Sequence, residues 1–167
     1  MYDELTKKDI EKMEEELRYR SIELRPEIIE EVKRTRAFGD LSENYEYKAA
    51  KQAQRQNDSR IRYLEGMIKT AKIIDDNSGE AQVGLFDKVT IYMEEDDEES
   101  VIQVVTTVRC NPSLGFISKE SPLGKAVLGK KVGDRVTVKV SETYSYDLVI
   151  RKLEKGEDTG DAPLMQY

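Results

Sequence analysis

The chain has 167 residues, 38% of them apolar and 37% charged, with no Trp, no His, a single Cys and a formal net charge of −7. The composition is lean for one large core and suits an exposed helical element beside a smaller packed unit. Without histidine there is no His-based triad and no Cys/His zinc site. The lone Cys110 excludes an intrachain disulfide, and the acidic balance excludes polyanion binding by overall charge alone.

The opening MYDELTKKDIEKMEEE does not read as a signal peptide, and no apolar run approaches the roughly 18 residues that span a bilayer. A soluble, cytoplasmic protein with no membrane partner is expected. Residues 1–75 carry 16 basic and 17 acidic groups, so nucleic-acid contact is expected from this half rather than from the more acidic remainder.

From Leu5 to Ile74 the texture is helical. Ile10, Met13, Leu17, Leu24, Ile28 and Val32 form a loose apolar stripe. Tyr47, Ala50, Gln54, Asn57, Ile61, Leu64, Ile68 and Ala71 alternate by three and four, a heptad seam with two polar members. Phe38-Gly39-Asp40-Leu41-Ser42 separates the two stretches as a turn. Two long helices joined there predict an antiparallel coiled-coil hairpin over 1–75, and thirty helical residues would reach about 45 Å. Pro26 falls inside the first helix and predicts a kink or an irregular turn.

After the turn formers at 75–79 the texture changes to strands at 88–92, 101–105, 134–140 and 146–150. Between the second and third of these, Ser121-Pro122 reads as an N-cap and first helical position, opening one short helix. The fold class is α+β: the hairpin, then a small antiparallel-sheet domain over 76–155, then a disordered tail over 156–167. The acidic run Glu94–Glu99 reads as a solvated loop. Gly124-Lys125 lacks the spacing of a phosphate loop, and Cys110 reads as a structural or incidental thiol.

At the turn, Asp40 and Glu43 are three residues apart and can project from one side if the second helix begins near Ser42, with Ser42 or Asp40 as its cap. By spacing alone these acids are better explained as plain helix-terminus residues, which the dipole favours. Arg36, Lys51 and Arg55 make this end locally basic, either as a strip that meets phosphates or as solvated surface forming salt bridges with the opposing helix. Tyr45 and Tyr47 offer rings for stacking, although Tyr47 lies on the seam.

GDLSENYEY with Lys48-Ala49-Ala50-Lys51 resembles the GDLxENxEYxxA signature of the Gre transcript-cleavage factors. Arg25-Pro26-Glu27-Ile28 resembles their RPEI element. Gly115-Phe116-Ile117-Ser118 and Ser121-Pro122-Leu123-Gly124-Lys125-Ala126-Val127-Leu128-Gly129-Lys130 resemble their C-terminal IS…SPxGxAxxGK stretch. Three separated motifs stand in family order.

The resemblance implies an FKBP-like C-terminal domain that docks on RNA polymerase, with Ser121, Pro122, Leu123, Gly124 and Lys125 in the docking surface. It implies a hairpin that enters the secondary channel and acts on the 3′ end of backtracked RNA. Asp40 and Glu43 match the acidic pair that helps bind a second Mg²⁺, shared with the polymerase, and orients the attacking water. Arg36 and Lys51 fall in the family's basic patch, with Arg55 beside them. On this reading the chain is a monomer and not itself an enzyme. The alternative within the family is a paralogue that occupies the channel and inhibits or modulates polymerase without cleavage. A prolyl isomerase is disfavoured by the scarcity of aromatics in residues 76–167.

Overall fold

The computed structural model describes residues 3–39, 42–76 and 78–166. The chain divides into two compact units: Ile10–Lys72, and residues 73–166 together with Glu4–Asp9.

The first unit is helical. Helix α1 (Lys7–Arg18) starts on a reciprocal cap, in which Thr6 N–H donates to Asp9 Oδ2 (2.9 Å) and Asp9 N–H to Thr6 Oγ1 (3.2 Å). It passes into a π-helical turn, Tyr19–Leu24, and then into α2 (Arg25–Arg36). The irregularity expected from Pro26 is this wide turn, placed just before the proline. Arg25 N–H bonds the Arg20 carbonyl five residues back, next to the one position that has no N–H to give.

Helix α3 (Tyr45–Thr70) buries Ala50, Asn57, Ile61 and Leu64, which is the expected seam. Its polar member Asn57 has a structural task. It donates through Nδ2 to the Arg20 carbonyl (3.2 Å) and accepts from Arg20 Nη1 (3.1 Å). One helix turn further on, Arg60 reaches across to Glu16 (2.8 and 3.1 Å), and Arg20 binds the same carboxylate (2.7 Å). The seam thus closes on apolar side chains at one end and on a polar network of Glu16, Arg20, Asn57 and Arg60 where α1 meets the wide turn.

In the second unit, β3 (Lys88–Met93), β4 (Glu98–Val105), β5 (Phe116–Ser118), β6 (Arg135–Lys139) and β7 (Ser145–Glu154) form one sheet in the order β5-β4-β3-β7-β6. The two-residue strands β1 (Glu4–Leu5) and β2 (Lys72–Ile73) precede them. The expected all-antiparallel sheet needs one amendment: β5 pairs parallel to β4, with Gln103 opposite Phe116. Alternating burial along β6 and β3 turns Val136, Val138, Val89 and Ile91 into a core with Ile102, Val104, Leu148 and Ile150. Helix α4 (Pro122–Val127) covers that core with Val127 and Leu123, and Ser121 caps it as expected. Gly124 is required there, since a Cβ would lie 2.1 Å from the Ser118 carbonyl oxygen.

The tail, expected to be disordered, makes defined contacts within the second unit. Arg109, fully buried, donates through Nε to the Ala162 carbonyl (2.7 Å) and pairs bidentately with Asp158 (2.5 and 2.7 Å). Its Nη1 also reaches buried Asp9 (3.2 Å), and its guanidinium lies 4.9 Å from the centre of the Phe86 ring. Met165 N–H bonds the Val108 carbonyl, and Ala162 and Leu164 are buried. A buried cation needs carboxylates, and the tail supplies one of the two.

Candidate functional site at the hairpin turn

Between α2 and α3 the chain reverses. Gly39 takes φ +112°, a conformation that L side chains rarely adopt, which explains a glycine at this point of the turn. Asp40 and Leu41 lie outside the described residues. Ser42 and Glu43 form a turn and are exposed.

The second helix starts at Tyr45 and Ser42 does not cap it, while the other expected cap, Asp40, lies outside the described residues. The cap is Asn44, whose Oδ1 accepts from Tyr47 N–H at 3.0 Å. Its Nδ2 donates across the hairpin to the Thr35 carbonyl at 2.6 Å, and Phe38 N–H reaches that same oxygen at 3.1 Å. Thr35 is completely buried and its hydroxyl bonds the Glu31 carbonyl (2.8 Å). Sequence reasoning passed over Asn44 and Thr35. The signal in the sequence is an Asn directly before the helical run, among neighbours that are equally good caps.

The charges around the turn sort into two groups. Arg34 is engaged: it binds Glu31 through two bonds (2.9 and 2.5 Å), stands 4.0 Å from Glu46, and lies over the Phe38 ring at 5.2 Å. Hydrogen bonding from Arg34 holds the Glu31 carboxyl below its ordinary range. Lys48 Nζ bonds the Ser42 carbonyl (2.8 Å) and lies 5.5 Å over the Tyr45 ring, whose residue is 79% exposed.

Arg36, Lys51 and Arg55, by contrast, form no ion pair among the described residues. Lys51 bonds only neutral Gln54 (2.9 Å), and Arg36 and Arg55 are exposed. The salt bridges to the opposing helix are made elsewhere, by Arg60 to Glu16 and by Arg25 to Asp58. No group of three or more His, Cys, Asp or Glu is placed to hold a metal among the described residues.

The C-terminal stretch singled out in the sequence splits by role. Ser121 Oγ donates to the Ser118 carbonyl (2.7 Å) and accepts from Gly124 N–H (3.0 Å), so both residues shape the turn into α4. Leu123 packs on the core, whereas Pro122 and Lys125 face outward. Glu120 sits between Lys119 (3.2 Å) and Lys125 (3.4 Å), and hydrogen bonding from Lys119 lowers its pKa. No helix among the described residues is long and apolar enough to cross a membrane.

A family profile described as "Transcription elongation factor, N-terminal" matches residues 4–73, and one described as "Transcription elongation factor, GreA/GreB, C-term" matches 78–155. The chain belongs to the GreA/GreB family of transcription elongation factors. Curated relatives agree. The transcription elongation factor GreA of Thermoanaerobacter pseudethanolicus is 46% identical over 137 residues, covering 81% of this chain and 87% of the relative. That of Streptococcus pneumoniae serotype 4 is 39% identical over 152 residues, covering 90% and 94%. Among solved structures, the GreA factor homolog 1 protein of Thermus thermophilus is 26% identical, with coverage of 93% and 100% and a TM-score of 0.43. Within the Gre chain, residues 156–166 lie past the end of the second profile match.

Proposed function

We propose that this elongation factor acts on RNA polymerase by promoting cleavage of the 3′ end of backtracked RNA. The hairpin turn is the part that reaches the active centre, and the second unit docks on the polymerase. The observation that carries the reading is the turn itself: exposed Glu43 directly precedes Asn44, which is bonded to the Thr35 carbonyl, on a hairpin with cations that no carboxylate of the described residues neutralises.

Carboxylate oxygens are hard ligands, which suits Mg²⁺, and an ion that keeps several waters can be held by few protein groups. Asp40 and Glu43 would hold such an ion jointly with ligands of the polymerase, since two carboxylates do not close a site. When bound, it supplies positive charge at the scissile phosphodiester and acidifies a water. The chain's own residues do the rest. The remaining carboxylate oxygens accept hydrogen bonds from the attacking water and orient it. Arg36, Lys51 and Arg55 neutralise phosphates of the extruded strand. The exposed Tyr45 ring offers a face for an unpaired base. Pro122 and Lys125 belong to the docking surface, with Ser121, Leu123 and Gly124 shaping it. The factor works as a monomer.

The test adds the protein to stalled, backtracked polymerase and follows RNA length. Shortened RNA is expected, with none from free RNA when polymerase is omitted. Slowed transcription without shortening would instead identify a channel-occupying modulator.

A further inference from the structure

The turn closes on one main-chain atom. The Thr35 carbonyl accepts from Phe38 N–H on one side and from Asn44 Nδ2 on the other, at 3.1 and 2.6 Å. Phe38 and Asn44 therefore meet at the same acceptor, and Glu43 directly precedes Asn44. That acceptor is itself fixed, because Thr35 is wholly buried and its hydroxyl is bonded back into α2.

We propose that Asn44 is a positioning residue: by bonding the ends of α2 and α3 at once, its carboxamide sets where the main chain of Glu43 leaves the hairpin, and so where the Glu43 carboxylate is presented. This rests on the cleavage reading and deepens it.

The chemistry singles out a carboxamide. Capping Tyr47 N–H needs only an acceptor, and Asp or Ser serves there as well as Asn. Bonding the Thr35 carbonyl needs a donor on the opposite side of the same group, which a carboxylate lacks and a serine hydroxyl is too short to add. Asn44→Asp keeps the acceptor and nearly the same shape, but turns an oxygen toward the carbonyl. Asn44→Ser keeps the cap without adding charge. A residue that merely caps the helix and a residue that positions the turn therefore answer these substitutions in opposite ways.

The experiment uses the full chain, wild type, Asn44→Asp and Asn44→Ser, on backtracked polymerase. It measures cleavage rate against factor concentration, with helix content from circular dichroism. Expected for both variants is a saturating rate lower by roughly 10²-fold, the scale of an ångström-sized misplacement, at unchanged half-saturating concentration and helix content. Wild-type rates in both variants, or losses that track helix content, would overturn the proposal.

If wild type itself does not shorten RNA, the functional reading fails separately. The positioning claim is then decided by backbone resonances. Shifts at Ser42 and Glu43 with α3 undisturbed in Asn44→Ser support it, and unmoved resonances sink it.

Discussion

Glu16 illustrates how one side chain couples the hairpin to pH. Burial raises its pKa, but hydrogen bonds from Arg60 and Arg20 outweigh that and hold the carboxyl below its ordinary value of 4.5. A depressed carboxylate contributes stability that is present above the unfolded pKa and lost as pH falls through the folded one. The hairpin should therefore lose stability below about pH 4.5 in excess of what Glu16→Gln loses, since the amide does not titrate. Thermal melts of both proteins at pH 7 and pH 3 check this; equal losses would remove Glu16 from the account. Arg36, Lys51 and Arg55 are the opposite case, cations with no carboxylate beside them among the described residues. Replacing all three by Ala should flatten the salt dependence of cleavage by roughly 0.7 in log–log slope for each phosphate left without its cation. It should also slow cleavage most on deeply backtracked complexes. Parallel curves for wild type and variant would retire the idea that these side chains meet RNA.

At the scale of elements, the C-terminal tail is held by Arg109. Arg109→Met leaves Asp9 buried opposite an uncharged side chain, a change that costs about 3–5 kcal/mol when one partner of a buried pair is removed. Urea denaturation should show a correspondingly lower midpoint, and the amide of Met165, bonded to the Val108 carbonyl, should lose its protection from hydrogen exchange. Undiminished protection would mean that the tail is held by something else. The tail could not be read from the sequence, because its anchor is a cation 49 residues from Asp158 and 100 from Asp9, whereas local composition there suggests disorder. Strand β5 escaped for a related reason: three residues carry no period, and parallel pairing with β4 fixes them from outside. The seam of α3, the Pro26 irregularity and the Ser121 cap were legible, since each is written in spacing or in one residue's backbone chemistry. At the turn the acids were legible as a motif. The helix start was not, because Ser42, Asp40 and Asn44 are all good caps and only the Thr35 carbonyl distinguishes them.

For the whole molecule, the division into units does not follow the chain. Glu4–Asp9 belongs with residues 73–166, so a fragment beginning near residue 77 lacks Asp9, the partner of Arg109, and Glu4, the partner of Lys119. Such a fragment should compete for polymerase without stimulating cleavage, but unfold at lower urea than the same residues in the full chain. The hairpin alone should bind polymerase poorly; full-strength binding by it would contradict the assignment of docking to the second unit. The central claim is that Asp40 and Glu43 serve chemistry and not folding, and the most direct measurement is cleavage of backtracked RNA by Asp40→Ala and Glu43→Ala. Each variant should lose stimulated cleavage while keeping wild-type helix content and wild-type competition for polymerase. Normal cleavage by both variants would contradict the account.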